Sequence, residues 1–191
     1  MRKLISKENR AKKQERNNLI IGVVLISIMF LGTIGYSFYD KGEDSSIQTQ
    51  INYGGHEFIL NNGLWIVEKE GRQFGFKTNP NEISGLENSL LNSIGVYENK
   101  PLYISSSEND ALSEVYINMN NVAQRIQLAC LEGTECEEDL PIKNCSNNFI
   151  IISETEENSI KQEENCVFIE GNSSDLVKLV DEFLLKIIGI K

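Results

Sequence analysis

Between Leu19 and Phe38 the chain runs for twenty residues without a charged side chain, and only Ser27, Thr33 and Ser37 interrupt its apolar character. At about 1.5 Å of rise per residue, a helix of this length reaches roughly 30 Å, the thickness of a bilayer's hydrocarbon layer. The stretch therefore predicts a transmembrane helix over 19–38, with the partner along its length being membrane lipid. A cleaved secretory signal is the competing reading. Its apolar core is shorter, however, and Gly35-Tyr36-Ser37-Phe38-Tyr39 offers no small-residue cleavage pattern, so an uncleaved anchor is expected.

The flanks orient the span. Ahead of it lie Arg2, Lys3, Lys7, Arg10, Lys12, Lys13 and Arg16 against Glu8 and Glu15, a net charge of +5, while the remainder of the chain holds 11 basic and 26 acidic residues. Basic residues next to a span resist translocation. The expected arrangement is a basic cytoplasmic tail over 1–18, the helix over 19–38, a polar tether over 39–50, and one external domain over 51–191, in a single-pass protein of the cell membrane. The acidic balance of that domain excludes nucleic acid as a partner, because phosphate binding needs clustered Lys and Arg.

Alternation then takes over from hydropathy. His56–Leu60, Leu64–Glu68 and Gln73–Lys77 are rich in aromatic and branched residues and are separated by Asn61-Asn62-Gly63 and Glu70-Gly71-Arg72, which predicts a three-stranded meander. Phe58, Leu60, Trp65, Val67, Phe74 and Phe76 fall in phase and mark its core face, with Trp65 read as packing rather than as a ligand platform. Asn79-Pro80-Asn81 ends the meander. Ile83, Leu86, Leu90, Leu91 and Ile94 recur at helical spacing around Gly85, giving a short helix or packed loop. Pro101–Ile104 predicts a fourth strand. After it, Ser107 with Asp110 approximates a capping box ahead of Leu112, Val115, Met119, Val122, Ala123 and Ile126, a helix of about 17 residues. Phe149–Ile152 and Val167–Ile169 have the dense apolar character of buried strands. Last, Leu176, Leu179, Val180, Phe183, Leu184, Ile187 and Ile188 define a helix capped by Ser173 or Ser174, with Lys178, Asp181, Glu182 and Lys186 expected to face water. The fold class is α+β: a meander, a mixed sheet and two packed helices behind a transmembrane anchor.

Chemistry is sparse. Cys130, Cys136, Cys145 and Cys166 all follow the span, and an external compartment favours disulfides. Four cysteines allow three pairings, which spacing leaves open; Cys130 with Cys136 closes a small loop, and Cys145 with Cys166 ties two late strands. Zinc is disfavoured, since no C-x-x-C interval occurs and the one histidine, His56, is remote. Acidic clusters at 132–139 and 154–164 lack the D-x-[DN]-x-[DN]-G calcium pattern and read as solvated loops. No metal and no cofactor is expected. Asn144-Cys145-Ser146 and Asn172-Ser173-Ser174 make Asn144 and Asn172 glycosylation acceptors by pattern. No catalytic residue is assigned, because no G-x-S-x-G, H-E-x-x-H, Walker or dinucleotide motif occurs and His56 sits in a strand. A carboxylate pair of the glycosidase type carries no local motif and stays open.

The order of landmarks adds a resemblance. Tyr53-Gly54-Gly55, Phe58, Trp65, Gly75-Phe76 and Asn79-Pro80-Asn81-Glu82 are followed by Cys130, Cys136, Pro141-Ile142, Cys145, Asn165-Cys166, Gly171, Leu176-Val177-Lys178, Asp181 and Gly189-Ile190. This order, over residues 50–191, resembles a group of uncharacterised single-span membrane-anchored archaeal proteins with a four-cysteine external domain. The resemblance implies an anchor and an external domain, and no activity. The functional expectation is an anchored binding or structural module of the cell surface with an unknown protein or surface partner. An accessory subunit of a membrane-embedded complex is the alternative, and an enzyme is the least favoured class.

Overall fold

The computed structural model describes residues 18, 20–29, 49–83, 85, 90, 92–136 and 139–191. The chain divides into two units, Met1–Ile47 and Gln48–Lys191. In the first, residues 20–29 are helical and leave Ile20, Ile21, Val23, Val24, Leu25, Ile26, Ile28 and Met29 exposed. Among the described residues no helix is long and apolar enough to cross a membrane. Leu19 and residues 30–38 of the expected span, residues 1–17 of the basic tail and residues 39–48 of the tether lie outside the described residues.

The second unit opens earlier than the sequence suggests. Thr49 and Gln50, expected in the tether, belong to the domain: the Thr49 carbonyl accepts from Leu60 N at 2.9 Å, and Gln50 begins a strand. The meander therefore has four strands, β1 (Gln50–Tyr53), β2 (His56–Asn61), β3 (Leu64–Lys69) and β4 (Arg72–Phe76), paired antiparallel in chain order. Asn62-Gly63 and Glu70-Gly71 all have positive φ, the geometry whose twist matches a tight hairpin. Gly54 is needed for a second reason, since a Cβ there would strike the Ile190 carbonyl oxygen. Phe58, Trp65, Val67, Phe74 and Phe76 are buried on one face, as alternation requires.

The second sheet is mixed and five-stranded, in the order β10 (Ser159–Glu163), β11 (Cys166–Gly171), β9 (Phe149–Glu154), β5 (Pro101–Ser106), β6 (Arg125–Leu128). All neighbours are parallel except the β10 edge. Helix α1 (Asn109–Met119) makes the β5–β6 crossover. It is shorter than expected because Arg125–Leu128 pairs with Pro101–Ile104 instead of extending the helix, so the apolar period at Ile126 belongs to a strand. The cap is Glu108, whose carboxylate accepts from Asp110 N and Ala111 N, rather than Ser107. A short parallel pair, β7 (Cys130–Leu131) and β8 (Ile142–Lys143), follows. The expected helix or loop after Asn79 contains two 3-10 turns, Pro80–Glu82 and Ile94–Val96; Leu86 and Leu91 lie outside the described residues.

Helix α2 (Leu176–Ile187) packs on β11, β10 and α1, while α1 also touches β4 and β5. The two helices thus form the layer joining the sheets, and a single apolar core runs through all three layers. Covered on more than one side, α2 buries Asp181 and Glu182, which single-faced amphipathicity places in water; Lys178 and Lys186 are exposed as expected. Its N-cap position is Asp175, not Ser173 or Ser174, and the Asp175 side chain makes no capping hydrogen bond.

The open edge of β4 is closed by a side chain. Asn118 on α1 accepts from Gly75 N at 2.8 Å and donates to Gly75 O at 2.8 Å, so its carboxamide stands where a neighbouring strand's peptide would pair. Its Nδ2 also meets Glu114 O at 2.9 Å, and the residue is buried. Asn118→Ala strands both Gly75 groups away from water and is expected to lower stability by about 2 kcal/mol. Urea denaturation checks this, and an unchanged midpoint would refute the edge-closing role.

Candidate functional site

Two polar constellations stand out. The first is internal. Glu114 lies on α1 in register with Ala111, Val115 and Asn118, and Asp181 lies on α2 between Val180 and Phe183; both carboxyls are 0% exposed. Asp181 Oδ2 accepts from Thr78 N at 3.0 Å, and Lys77 Nζ stands 3.7 Å from Glu114 Oε1 and 3.1 Å from Asp110 Oδ1. Both Glu114 oxygens and Asp181 Oδ1 accept from no N–H or O–H among the described residues. Two carboxyls held against each other in a dry interior are stable only if they share a proton. Desolvation first, then the Asp181 charge, pushes Glu114 up to about 8; desolvation pushes Asp181 up to about 6, against the opposing hydrogen bond from Thr78. The interaction between the two carboxyls raises Glu114 and lowers Asp181, so Glu114 is the member that keeps its proton to the higher pH. Perturbed carboxyl pairs perform acid–base catalysis when a substrate reaches them. Here no oxygen meets solvent, and the pair is a structural clasp between α1, α2 and the end of β4.

The second constellation is at the surface, at the N-terminal ends of β5, β9 and β11. A cavity of about 270 Å³ is lined by Val96, Lys100, Pro101, Tyr103, Ser146, Asn147, Asn148 and Asn165. Tyr103 points away from the helices into a second, smaller apolar cluster with Ala129, Phe149 and Cys166. Its ring packs edge-on against Phe149 at 6.5 Å, Lys143 Nζ lies 4.7 Å from its centroid, and Arg125 Nη2 donates to its hydroxyl at 3.2 Å. The Arg125 hydrogen bond holds the Tyr103 phenol below its usual range, with Lys143 adding to the effect. The cavity's outer rim is fixed by one of the disulfides.

The cysteines are paired Cys130–Cys136 and Cys145–Cys166, with Cα separations of 5.9 and 4.9 Å. Asn144 and Asn172 are exposed. Asn144 Oδ1 accepts from Ser146 Oγ at 2.6 Å while its Nδ2 meets Glu132; Asn172 Oδ1 accepts from Ser174 Oγ at 2.6 Å while its Nδ2 meets Asp175. His56 is half-buried at the start of β2, its Nε2 3.2 Å from Lys69 Nζ, far in the chain from either constellation. Among the described residues no group of three His, Cys, Asp or Glu is placed to hold a metal. Sequence reasoning missed both constellations. Glu114 had a signal in its helical register with the buried face, and Asp181 one in its position inside an apolar stripe; Lys100, Tyr103, Arg125 and Lys143 come together only through the parallel register of β5 with β6 and the fold of the disulfide loop. No protein family, no curated protein and no solved structure matches this chain.

Proposed function

We propose that the chain is a membrane-anchored module of the cell surface whose α+β domain lies outside the cytoplasm and serves in binding. The observation that carries this reading is the pairing of all four cysteines in a domain that follows a +5 flank and a twenty-residue uncharged run. Disulfides persist in oxidising compartments, and basic flanks stay on the cytoplasmic side, so two independent signals give the same orientation. The closed carboxylate clasp, whose titratable groups have no route to a substrate, is read as part of the domain's framework and not as a catalytic pair. Protease added to intact cells is expected to digest the domain while sparing the tail before Leu19. Digestion of the tail with the domain protected would reverse the topology and remove the reading.

A further inference from the structure

We propose that the cavity beside Tyr103 binds an acidic saccharide unit, with the carboxylate on the Lys100, Arg125 and Lys143 side and the ring hydroxyls against the carboxamides of Asn147, Asn148 and Asn165. The proposal deepens the reading of this domain as a binding module by naming its ligand class.

Charge placement is the first support. Only 11 basic residues follow the span, against 26 acidic ones. Arg72, Lys77, Lys161 and Lys191 each have a carboxylate within 4.0 Å. Lys100, Arg125 and Lys143 have none among the described residues, as is also true of Lys69, Lys178 and Lys186 elsewhere on the domain. Lys100 lines the cavity itself, while Arg125 and Lys143 stand just outside its lining, Arg125 on the Tyr103 hydroxyl at 3.2 Å and Lys143 at 4.7 Å from the Tyr103 ring centroid. Unpaired cations gathered in an acid-rich domain raise the local concentration of a small anion.

Hydrogen-bonding capacity is the second. Most backbone N–H groups around the cavity are already used, that of Asn148 excepted: Tyr103 N on Asn148 O, Phe149 N on Asn165 O, Asn165 N on Cys145 O, Asn147 N on Asn144 O, and Ser146 N on Asn144 Oδ1. No nest of free amides remains to cradle a phosphate. What remains are side chains. The Asn147 carboxamide makes no hydrogen bond among the described residues, whereas Asn148 Nδ2 meets Val96 O at 3.1 Å and Asn165 Nδ2 meets Ser146 O at 3.4 Å, leaving both Oδ1 atoms to accept. Because Arg125 donates to the Tyr103 oxygen, the phenolic proton is left to donate elsewhere. Carboxamides that both donate and accept suit vicinal hydroxyls, which do the same.

Size and surroundings narrow the class. The volume of about 270 Å³ lies near the lower end for small-molecule pockets and has room for about one sugar ring. A neighbouring depression across Ser146 is bordered by Glu163 and Glu164, so the positive region ends abruptly and disfavours a polyanion. The turns carrying Asn147 and Asn165 flank Cys145 and Cys166, whose bond holds the rim in place before any ligand arrives.

The test uses full-length protein in detergent micelles with glucuronate, glucose and inorganic phosphate as probes in calorimetric titrations. Glucuronate is expected to bind at least about tenfold more tightly than glucose or phosphate. Arg125→Gln combined with Lys143→Gln is expected to weaken glucuronate about tenfold while leaving glucose unchanged, and Asn147→Ala to weaken both sugars. Arg125 is exposed and Asn147 half-buried, and an unaltered melting temperature for each variant separates loss of the site from loss of the fold. Phosphate binding as tightly as glucuronate would make the cluster a plain anion site and overturn the proposal; no glucuronate binding, or binding indifferent to Asn147→Ala, would do the same. Each of these outcomes leaves the membrane orientation untouched, so it is distinguishable from failure of the topology.

Discussion

Raising the pH from about 5 to about 9 is expected to destabilise the folded domain by on the order of 4 kcal/mol through Glu114 and Asp181 alone. In the unfolded chain these carboxyls ionise near 4.5 and 3.8; in the fold they are pushed up to about 8 and about 6. Across that window the native state holds protons that the unfolded state has released. Stability from the pair is complete below the ordinary carboxyl range and declines as pH rises through the folded values. Above them, two anions face each other between α1 and α2. Lys77 is the cation beside them, and it is shared with Asp110 at the surface, with Glu108 also acting on it. Thr78 N stabilises one Asp181 oxygen and nothing donates to the other. Glu114→Gln keeps the shape and a donor toward Asp181 while removing the titration, so its urea midpoint is expected to vary much less with pH than that of the parent. Equal pH slopes for the parent and Glu114→Gln would show that the proton is not shared at this position.

How far the sequence speaks follows from where each signal is stored. The meander was legible because Asn62-Gly63 and Glu70-Gly71 encode their hairpins locally and alternation encodes the buried face. The terminal helix was legible in extent, and its burial was not. Amphipathicity assumes one dry side, yet α2 is covered by a sheet and by α1, so Asp181 and Glu182 are enclosed, the latter with Lys191 at 3.1 Å. β1 and β10 were missed for a different reason: Gln50–Tyr53 and Ser159–Glu163 are polar edge strands, held by backbone pairing to β2 and β11 rather than by an apolar pattern. β6 was absorbed into a helix because Ile126 continues the period of Val122 and Ala123; only the parallel partner β5 distinguishes the two outcomes. The Tyr103 cavity was the least legible feature, since its residues come from four separate segments and none carries a motif.

The two disulfides are expected to differ in worth, and the difference follows from loop length and position. Cys145–Cys166 joins positions 21 apart, whereas Cys130–Cys136 joins positions 6 apart. Closing the longer loop removes more freedom from the unfolded chain, about 3 kcal/mol against about 2 kcal/mol for the shorter. Position widens the gap. Cys166 is 0% exposed in the cluster with Tyr103, Phe149 and Ala129, so its loss also opens space beneath the aromatic pair, whereas Cys130 and Cys136 are half-buried beside the exposed Glu132–Glu135 turn. Replacing Cys145 and Cys166 together by Ala is therefore expected to lower stability by at least about 3 kcal/mol and to loosen the Asn147 and Asn165 turns that rim the cavity. The corresponding change at Cys130 and Cys136 is expected to cost less and to leave those turns ordered. Urea denaturation gives the energies, and amide hydrogen exchange at Asn147, Phe149 and Asn165 reads the rim directly. Faster exchange there in the Cys130/Cys136 variant, with protection retained in the Cys145/Cys166 variant, would mean that the rim is held by the β7–β8 pair and not by the longer bridge.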